Sequence, residues 1–139
     1  MGVNKGRIWL GGVAGGVVWS AWSFFIQTRL APHYAMATNA GLFLKQPRYS
    51  YFPAVWILMT FVLAILLAHF YVWVRPALGP GWMTAFKIGA LAGFAAGFPG
   101  NFAQAAWSAV PRVLPLGWML DLWGGAIMAT VVAAWLYKE

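Results

Sequence analysis

Long apolar stretches separated by short polar or Pro/Gly-rich segments dominate the hydrophobic pattern of the chain. Four stretches, residues 8–26, 52–74, 85–107 and 116–137, approach the roughly 20 residues that a helix needs to cross a bilayer. Period-two alternation, the mark of barrel strands, does not occur in them. Because backbone groups in hydrocarbon must find partners within their own segment, helices are expected. The pattern predicts an all-α fold, an integral membrane four-helix bundle formed by one transmembrane domain, residues 1–139.

The connections between the predicted spans differ in length. Residues 75–81 (Arg-Pro-Ala-Leu-Gly-Pro-Gly) and 108–115 are short, so spans two, three and four should run antiparallel to their chain neighbours. The first connection, residues 27–51, is longer and mixes apolar with basic residues. Within it we expect residues 33–44 to form a short interfacial helix.

Composition supports a lipid environment. The chain is 63% hydrophobic and only 8% charged, against about 25% charged residues in a typical soluble domain. The net charge is +7, but the nine Lys and Arg residues lie near the ends of apolar runs and form no cluster. This placement suits anionic lipid headgroups, whereas a nucleic-acid partner would need a basic face. We therefore expect membrane lipids, and no nucleic acid, among the partners.

The basic residues also bear on orientation. With the N-terminus inside, five of them would be cytoplasmic and four would lie outside. The cytoplasmic set is Lys5, Arg7, Arg75, Lys87 and Lys138, and the opposite set is Arg29, Lys45, Arg48 and Arg112. The difference is small, and the usual dominance of the first span favours both termini in the cytoplasm.

Small residues recur at four-residue spacing in three of the spans, which allows the close backbone approach that membrane helices use to associate. The residues of this pattern are Gly12 and Gly16 in span one, Gly89, Gly93 and Gly97 in span three, and Gly125 in span four. We expect these three spans to pack together, and the bulky span two to face lipid or a partner. The spacing leaves open a second use, in which a glycine face contacts another protein or a second copy.

Asp121 is the one acidic residue apart from Glu139, and it lies within the fourth predicted span. A carboxylate at membrane depth costs about 3 kcal/mol, so its surroundings must compensate for it. Polar residues of spans one and three are expected at its depth: Ser20, Ser23, Gln27, Asn101 and Gln104. We expect Asp121 to accept hydrogen bonds from Asn101, Gln104 or a span-one serine, with Arg112 and Arg29 as candidate counter-ions.

Two interpretations of Asp121 stay open at this point. It is either a satisfied structural carboxylate or the centre of a site for a proton relay, a cation or a partner. Pro99 and Gly100 interrupt span three close to Asn101, and a kink there either lies at the interface or opens a small polar cavity.

The aromatic residues and histidines suggest few cofactors. Five tryptophans at span ends fit an aromatic belt, namely Trp9, Trp73, Trp82, Trp118 and Trp135. An aromatic-lined pocket that contacts lipid, quinone or pigment is the alternative for the deeper ones. The chain has no cysteine, and no metal-ligand spacing occurs. His69 is a candidate single axial ligand to a porphyrin-type pigment, with an interfacial histidine as the alternative; no cofactor is predicted.

Three short motifs lie near the ends of the predicted spans: Asn4-Lys5-Gly6-Arg7 before Gly11-Gly12, Arg75-Pro76 with Gly79-Pro80-Gly81 and Thr84-Ala85, and Ala134-Trp135-Leu136-Tyr137-Lys138-Glu139. In these motifs the chain resembles an uncharacterised family of small bacterial four-span inner-membrane proteins. The resemblance implies a four-helix protein of the bacterial inner membrane and implies no activity. Where that family has Asn and an acidic residue in span one, this chain has Ser20, Ser23 and Gln27, so no role of a span-one acid carries over.

These observations lead to two hypotheses about function. The first is a non-enzymatic accessory, assembly or scaffold protein, alone or as a subunit of a larger membrane complex. The second is a small oligomeric transporter or hydrophobic-ligand-binding protein that uses a polar pocket around Asp121. In both, a protein partner or a homo-oligomer within the membrane is expected. No nucleophile–base pair is evident from the sequence, so an enzyme is not predicted.

Overall fold

The computed structural model describes residues 2–137, which fold as four α-helices without a strand among them. The helices are α1 (Lys5–Asn39), α2 (Phe52–Leu78), α3 (Trp82–Trp107) and α4 (Val113–Leu136). The predicted all-α class is confirmed. Three helices, α1, α2 and α4, are long and apolar enough to cross a membrane. Helix α3 has the length but a lower hydropathy, because it is rich in glycine and alanine and contains Lys87 and Asn101.

Local sequence signals explain several helix ends. The side chain of Asn4 caps α1, its Oδ1 accepting a hydrogen bond from the Arg7 N–H at 3.2 Å. Between α2 and α3 the chain turns through Gly79 (φ +84°) and Gly81 (φ +122°). A side chain would be strained at these backbone angles, which is why this tight turn uses glycine.

Helix α1 is longer than predicted. It continues without a break to Asn39, about 50 Å at 1.5 Å per residue, whereas hydrocarbon is about 30 Å thick. The loop predicted to begin at residue 27 and the separate interfacial helix predicted at 33–44 were therefore wrong. Leu30 and Ala37 are buried in one cluster with Leu114 of α4, and this packing holds α1 together across the exposed Pro32.

Helix α4 is central in the bundle. It packs against all three other helices, while the backbones of α1 and α3 do not approach each other closely. Gly89 and Gly93 of α3 lie against Ala126 of α4. Gly11 and Gly15 of α1 lie against Ala133 and Ala129 of the same helix. The small-residue faces therefore pack within the chain.

The prediction that span two faces only lipid or a partner was wrong. Gly12 and Gly16 of α1 face Ile65 and Phe61 of α2, so bulky side chains of α2 fill the space that the glycines leave. A stripe of small residues at i, i+4 and i+8 (Thr60, Ala64 and Ala68) is buried on α2, and the sequence interpretation missed it.

The two ends of the bundle differ. At the end formed by the α2–α3 turn, hereafter the closed end, one buried cluster joins α1, α2, α3 and α4: Ile8, Ala68, Tyr71, Val72, Ala85, Ala133 and Tyr137. At the other end, hereafter the open end, the buried cluster Ile26, Leu30, Ala37 and Leu114 comes from α1 and α4 alone. Helices α2 and α3 thus meet near their shared turn and contribute nothing to the buried cluster at the open end.

Candidate functional site

A groove of about 1150 Å³ lies at the open end. All four helices and the first loop line it: Ser20, Ser23, Phe24, Gln27, Tyr34, Thr38, Phe43, Leu44, Gln46, Pro47, Phe52, Pro53, Trp56, Ile57, Thr60, Asn101, Trp118, Asp121 and Leu122. Residues 52–59 of α2 are all exposed, and the first buried residue of that helix is Thr60. The groove therefore exists because the first two turns of α2 do not pack against the rest of the bundle.

Asp121 is the most deeply buried polar group of the groove, with only 2% of its surface exposed. Its Oδ1 accepts a hydrogen bond from the Ser23 hydroxyl at 2.5 Å, and its Oδ2 accepts one from Gln27 Nε2 at 3.3 Å. Ser23 and Gln27 are four residues apart on α1, which places both side chains on one face of the helix. The carboxylate thus ties α4 to α1, through a span-one serine as predicted and through Gln27.

Trp19 completes the surroundings of this carboxylate. Its indole is buried and lies over Gly125, one helical turn after Asp121. The absence of a side chain at Gly125 makes room for the ring, so this predicted packing glycine accommodates an indole rather than a helix backbone. The Nε1–H of Trp19 has no hydrogen-bond partner, although it lies near the Asp121 carboxyl group.

Aromatic side chains extend the site toward the first loop. Trp118 Nε1 donates a hydrogen bond to the Tyr34 hydroxyl, and the two rings stack with centroids 6.4 Å apart. Phe43 of the first loop packs against both rings, at 6.0 and 6.5 Å. Trp118 therefore packs inside the protein, against Tyr34 and Phe43. Tyr34 follows Gln27 by seven residues on the same face of α1, a relation that was hidden by the helix break predicted there.

A second hydrogen bond between helices crosses the groove wall. The hydroxyls of Ser20 and Thr60 lie 3.2 Å apart. Thr60 donates its own proton to the Ile57 carbonyl at 2.7 Å, so Ser20 is the donor between α1 and α2. Thr60 was not among the predicted site residues, although its place in a small-residue stripe could have indicated it.

The two predicted donors on α3 do not reach Asp121. Asn101 lines the groove, but its Nδ2 donates to the Gly97 carbonyl at 2.7 Å. Gln104 is exposed and does not line the groove. Pro99 lies within α3 without ending it. The structure therefore brings together Asp121, Ser23, Gln27, Ser20 and Asn101, and leaves out Gln104.

The predicted counter-ions are also elsewhere. The Arg29 guanidinium lies 5.1 Å from the centroid of the Phe25 ring, because it follows Gln27 by two residues and so points about 200° away around the helix. Arg112 is exposed just before α4. Within residues 2–137 no ion pair joins either arginine to Asp121. Hydrogen bonds from α1, rather than an arginine, accompany the buried charge.

His69 lies in α2 on the far side of the bundle from the groove. Its Nδ1 is 2.8 Å from the Ile65 carbonyl oxygen, and its ring packs between Trp9 and Trp73 at 6.2 and 6.1 Å. The His69 ring therefore lies in an aromatic environment away from the groove. Among the described residues no group of three or more His, Cys, Asp or Glu side chains could hold a metal ion.

Comparison of the chain with protein-family models, with curated proteins and with solved structures finds no match. The site is therefore interpreted from its own geometry, which combines a large apolar groove, one buried carboxylate and a small set of amide and hydroxyl groups.

Proposed function

We propose that this chain is a bacterial inner-membrane protein that binds an amphipathic small molecule in the open-end groove. All four helices cross the bilayer in this proposal, and both termini are cytoplasmic. Three of the helices have the required length and hydropathy. Support for the fourth comes from packing, because Gly89, Gly93 and Gly97 lie along α4. This contact holds α3 at the depth of an apolar helix.

The observation that carries the binding proposal is the groove itself. Its volume of about 1150 Å³ is slightly above the roughly 300–1,000 Å³ of typical ligand pockets, so it is large enough for a small molecule. Its lining also has the usual composition of such pockets, with mostly apolar side chains and a few convergent polar groups. An elongated apolar molecule with a polar end fits this distribution.

The position of the groove supports entry from the lipid. Exposed apolar residues of α2, among them Phe52, Trp56 and Ile57, form one side of it. In a bilayer this side meets acyl chains, so an amphiphile can enter sideways while its polar end approaches Asp121. We place binding, and no reaction, at this site: the hydroxyl of Ser23 is committed to Asp121, and the described lining contains no imidazole to activate it.

The test places a bulky side chain in the groove and, as a control, the same side chain at a neighbouring position outside its lining. Ile57 lines the groove, whereas Leu58 is equally exposed and lies outside the lining. Ile57→Trp and Leu58→Trp variants are purified in mild detergent with 1-monoolein, and bound lipid is counted by native mass spectrometry. We expect one retained monoolein in the wild-type protein and in Leu58→Trp, and none in Ile57→Trp.

Equal retention in the two variants would contradict the proposal. A stoichiometric protein partner in the same spectra, with no lipid in the groove, would favour the accessory or scaffold role instead. A homo-oligomer that retains lipid would agree with a ligand-binding protein that works as an assembly.

A further inference from the structure

The charge inside the groove points to a particular class of ligand. Asp121 is the one Asp, Glu, Lys, Arg or His side chain among the lining residues of the described chain. The basic residues on this side, Arg29, Lys45, Arg48 and Arg112, are exposed and do not line the groove. A ligand in the groove therefore meets one carboxyl group and no basic side chain.

The hydrogen bonds in the groove wall also favour a ligand that is a cation or a hydrogen-bond donor. The hydroxyl protons of Ser20, Ser23 and Thr60 are all committed to neighbouring acceptors. A carboxylate has about four acceptor positions, and Asp121 uses two of them. The side-chain oxygen of Asn101 accepts no hydrogen bond from described residues. The polar wall of the groove thus keeps acceptor positions on Asp121 and Asn101, which suit a cation or a hydrogen-bond donor.

Aromatic faces surround this wall. Tyr34, Trp56 and Trp118, together with Phe24, Phe43 and Phe52, line the groove. The π-face of an aromatic ring attracts a cation within about 6 Å, and the attraction strengthens when water is excluded. Charge, acceptors and aromatic rings together define a site for positive charge on an apolar body.

We infer that the ligand of the groove is a lipophilic organic cation, an amphiphile whose positive group lies at Asp121 among the aromatic rings. The inference rests on the proposed binding function and specifies its substrate class. The apolar body of the ligand occupies the part of the groove along Phe52, Trp56 and Ile57, and the cationic group approaches the wall formed by Asp121, Gln27 and Asn101.

Two probes of the same shape and opposite charge test this inference. Tetraphenylphosphonium and tetraphenylborate are titrated separately into the full-length protein in a non-ionic detergent, and binding is measured by calorimetry. We expect the cation to bind at least tenfold more tightly than the anion. Asp121→Asn should weaken phosphonium binding about tenfold and leave borate binding unchanged.

The control for net charge is Gln104→Lys, which raises the charge of the chain by one, as Asp121→Asn does, at an exposed position outside the groove. It should change phosphonium binding less than twofold.

Because Asp121→Asn could disturb folding, Trp56→Leu provides a second test: it removes one aromatic face at a partly exposed position, and we expect phosphonium binding to weaken about threefold.

The outcomes separate this inference from the function on which it rests. Equal or tighter binding of the borate, or phosphonium binding unchanged in both Asp121→Asn and Trp56→Leu, would overturn the cationic class. If monoolein retention still depended on Ile57 in that case, the groove would remain an amphiphile site with a different preference. Loss of the Ile57 dependence would refute the binding function as well.

Discussion

The closed end and the open end of the bundle are built from the same four helices, but α2 packs closely against its neighbours only at the closed end. At the closed end, small residues let α2 approach its neighbours, and Ala64 and Ala68 are completely or almost completely buried. The Tyr71 hydroxyl, itself in the buried cluster, accepts a hydrogen bond from the Gly81 N–H at 3.1 Å and fixes the α2–α3 turn. At the open end, residues 52–59 of the same helix carry bulky side chains and are all exposed.

The difference shows where this fold uses small residues and where it uses polar ones. Glycine and alanine close the bundle wherever two backbones approach each other. At the open end the contact between α1 and α4 depends on hydrogen bonds and ring packing, through Ser23, Gln27 and Trp118. Polar side chains thus join α1 to α4 beside the groove, whereas the buried cluster of the closed end is mainly apolar.

The largest expected effect comes from adding one methyl group at the closed end. In Gly89→Ala the new Cβ would lie 2.6 Å from the Ile127 Cα, a backbone atom that cannot move away without shifting α4. We expect a loss of about 1–3 kcal/mol in the free energy of unfolding, as for other overpacked sites. The measurement is an SDS titration in mixed micelles followed by circular dichroism.

The matched control is Gly100→Ala in the same helix at the open end, where a Cβ would meet nothing within 4 Å. It should be neutral or stabilise the protein by up to about 1 kcal/mol through helix propensity. If the two alanine variants were equally stable, the contrast between a tightly packed closed end and a loose open end would be wrong.

A smaller effect is expected for the hydrogen bond that joins α1 to α4. A double-mutant cycle of Ser23→Ala and Asp121→Leu, measured by the same SDS titration, should give a coupling of about 1–2 kcal/mol, since hydrogen bonds to charged groups exceed those between neutral ones. Ser20→Ala with Asp121→Leu is the control, because Ser20 bonds to Thr60 instead. Its coupling should stay below about 0.5 kcal/mol. Equal couplings in the two cycles would mean that Asp121 does not act through Ser23.

The sequence predicted the helices better than it predicted the groove. Apolar length alone located α2, α3 and α4 to within a few residues at most ends. It failed for α1, because the mixture of apolar and basic residues after residue 26 suggested a loop, whereas Leu30 and Ala37 are buried against Leu114 and belong to the helix. The correct length of α1 would have placed Tyr34 on the face of Ser23 and Gln27.

The site was predictable only in part. The position of a residue along a helix axis can be counted from the sequence, but the helix that its side chain faces depends on how the helices pack. Asp121, Ser20, Ser23, Gln27 and Asn101 were found at one level. Counting along the helix also placed Gln104 near this level, but in the structure Gln104 lies outside the groove and Asn101 lines it. The volume itself arises from the separation of α2 from α3, and no local pattern encodes that separation.

The groove's accessibility can be measured directly, because the chain has no cysteine of its own. Ile57→Cys and Leu58→Cys place single thiols at the same depth on α2, one in the groove and one outside its lining. In liposomes, a water-soluble maleimide that enters the groove along its polar wall should label the Ile57→Cys variant at least tenfold faster than the Leu58→Cys variant, whose thiol faces acyl chains, and 1-monoolein should slow that labelling. Equal rates for the two variants, with no effect of monoolein, would contradict an accessible ligand groove at the open end.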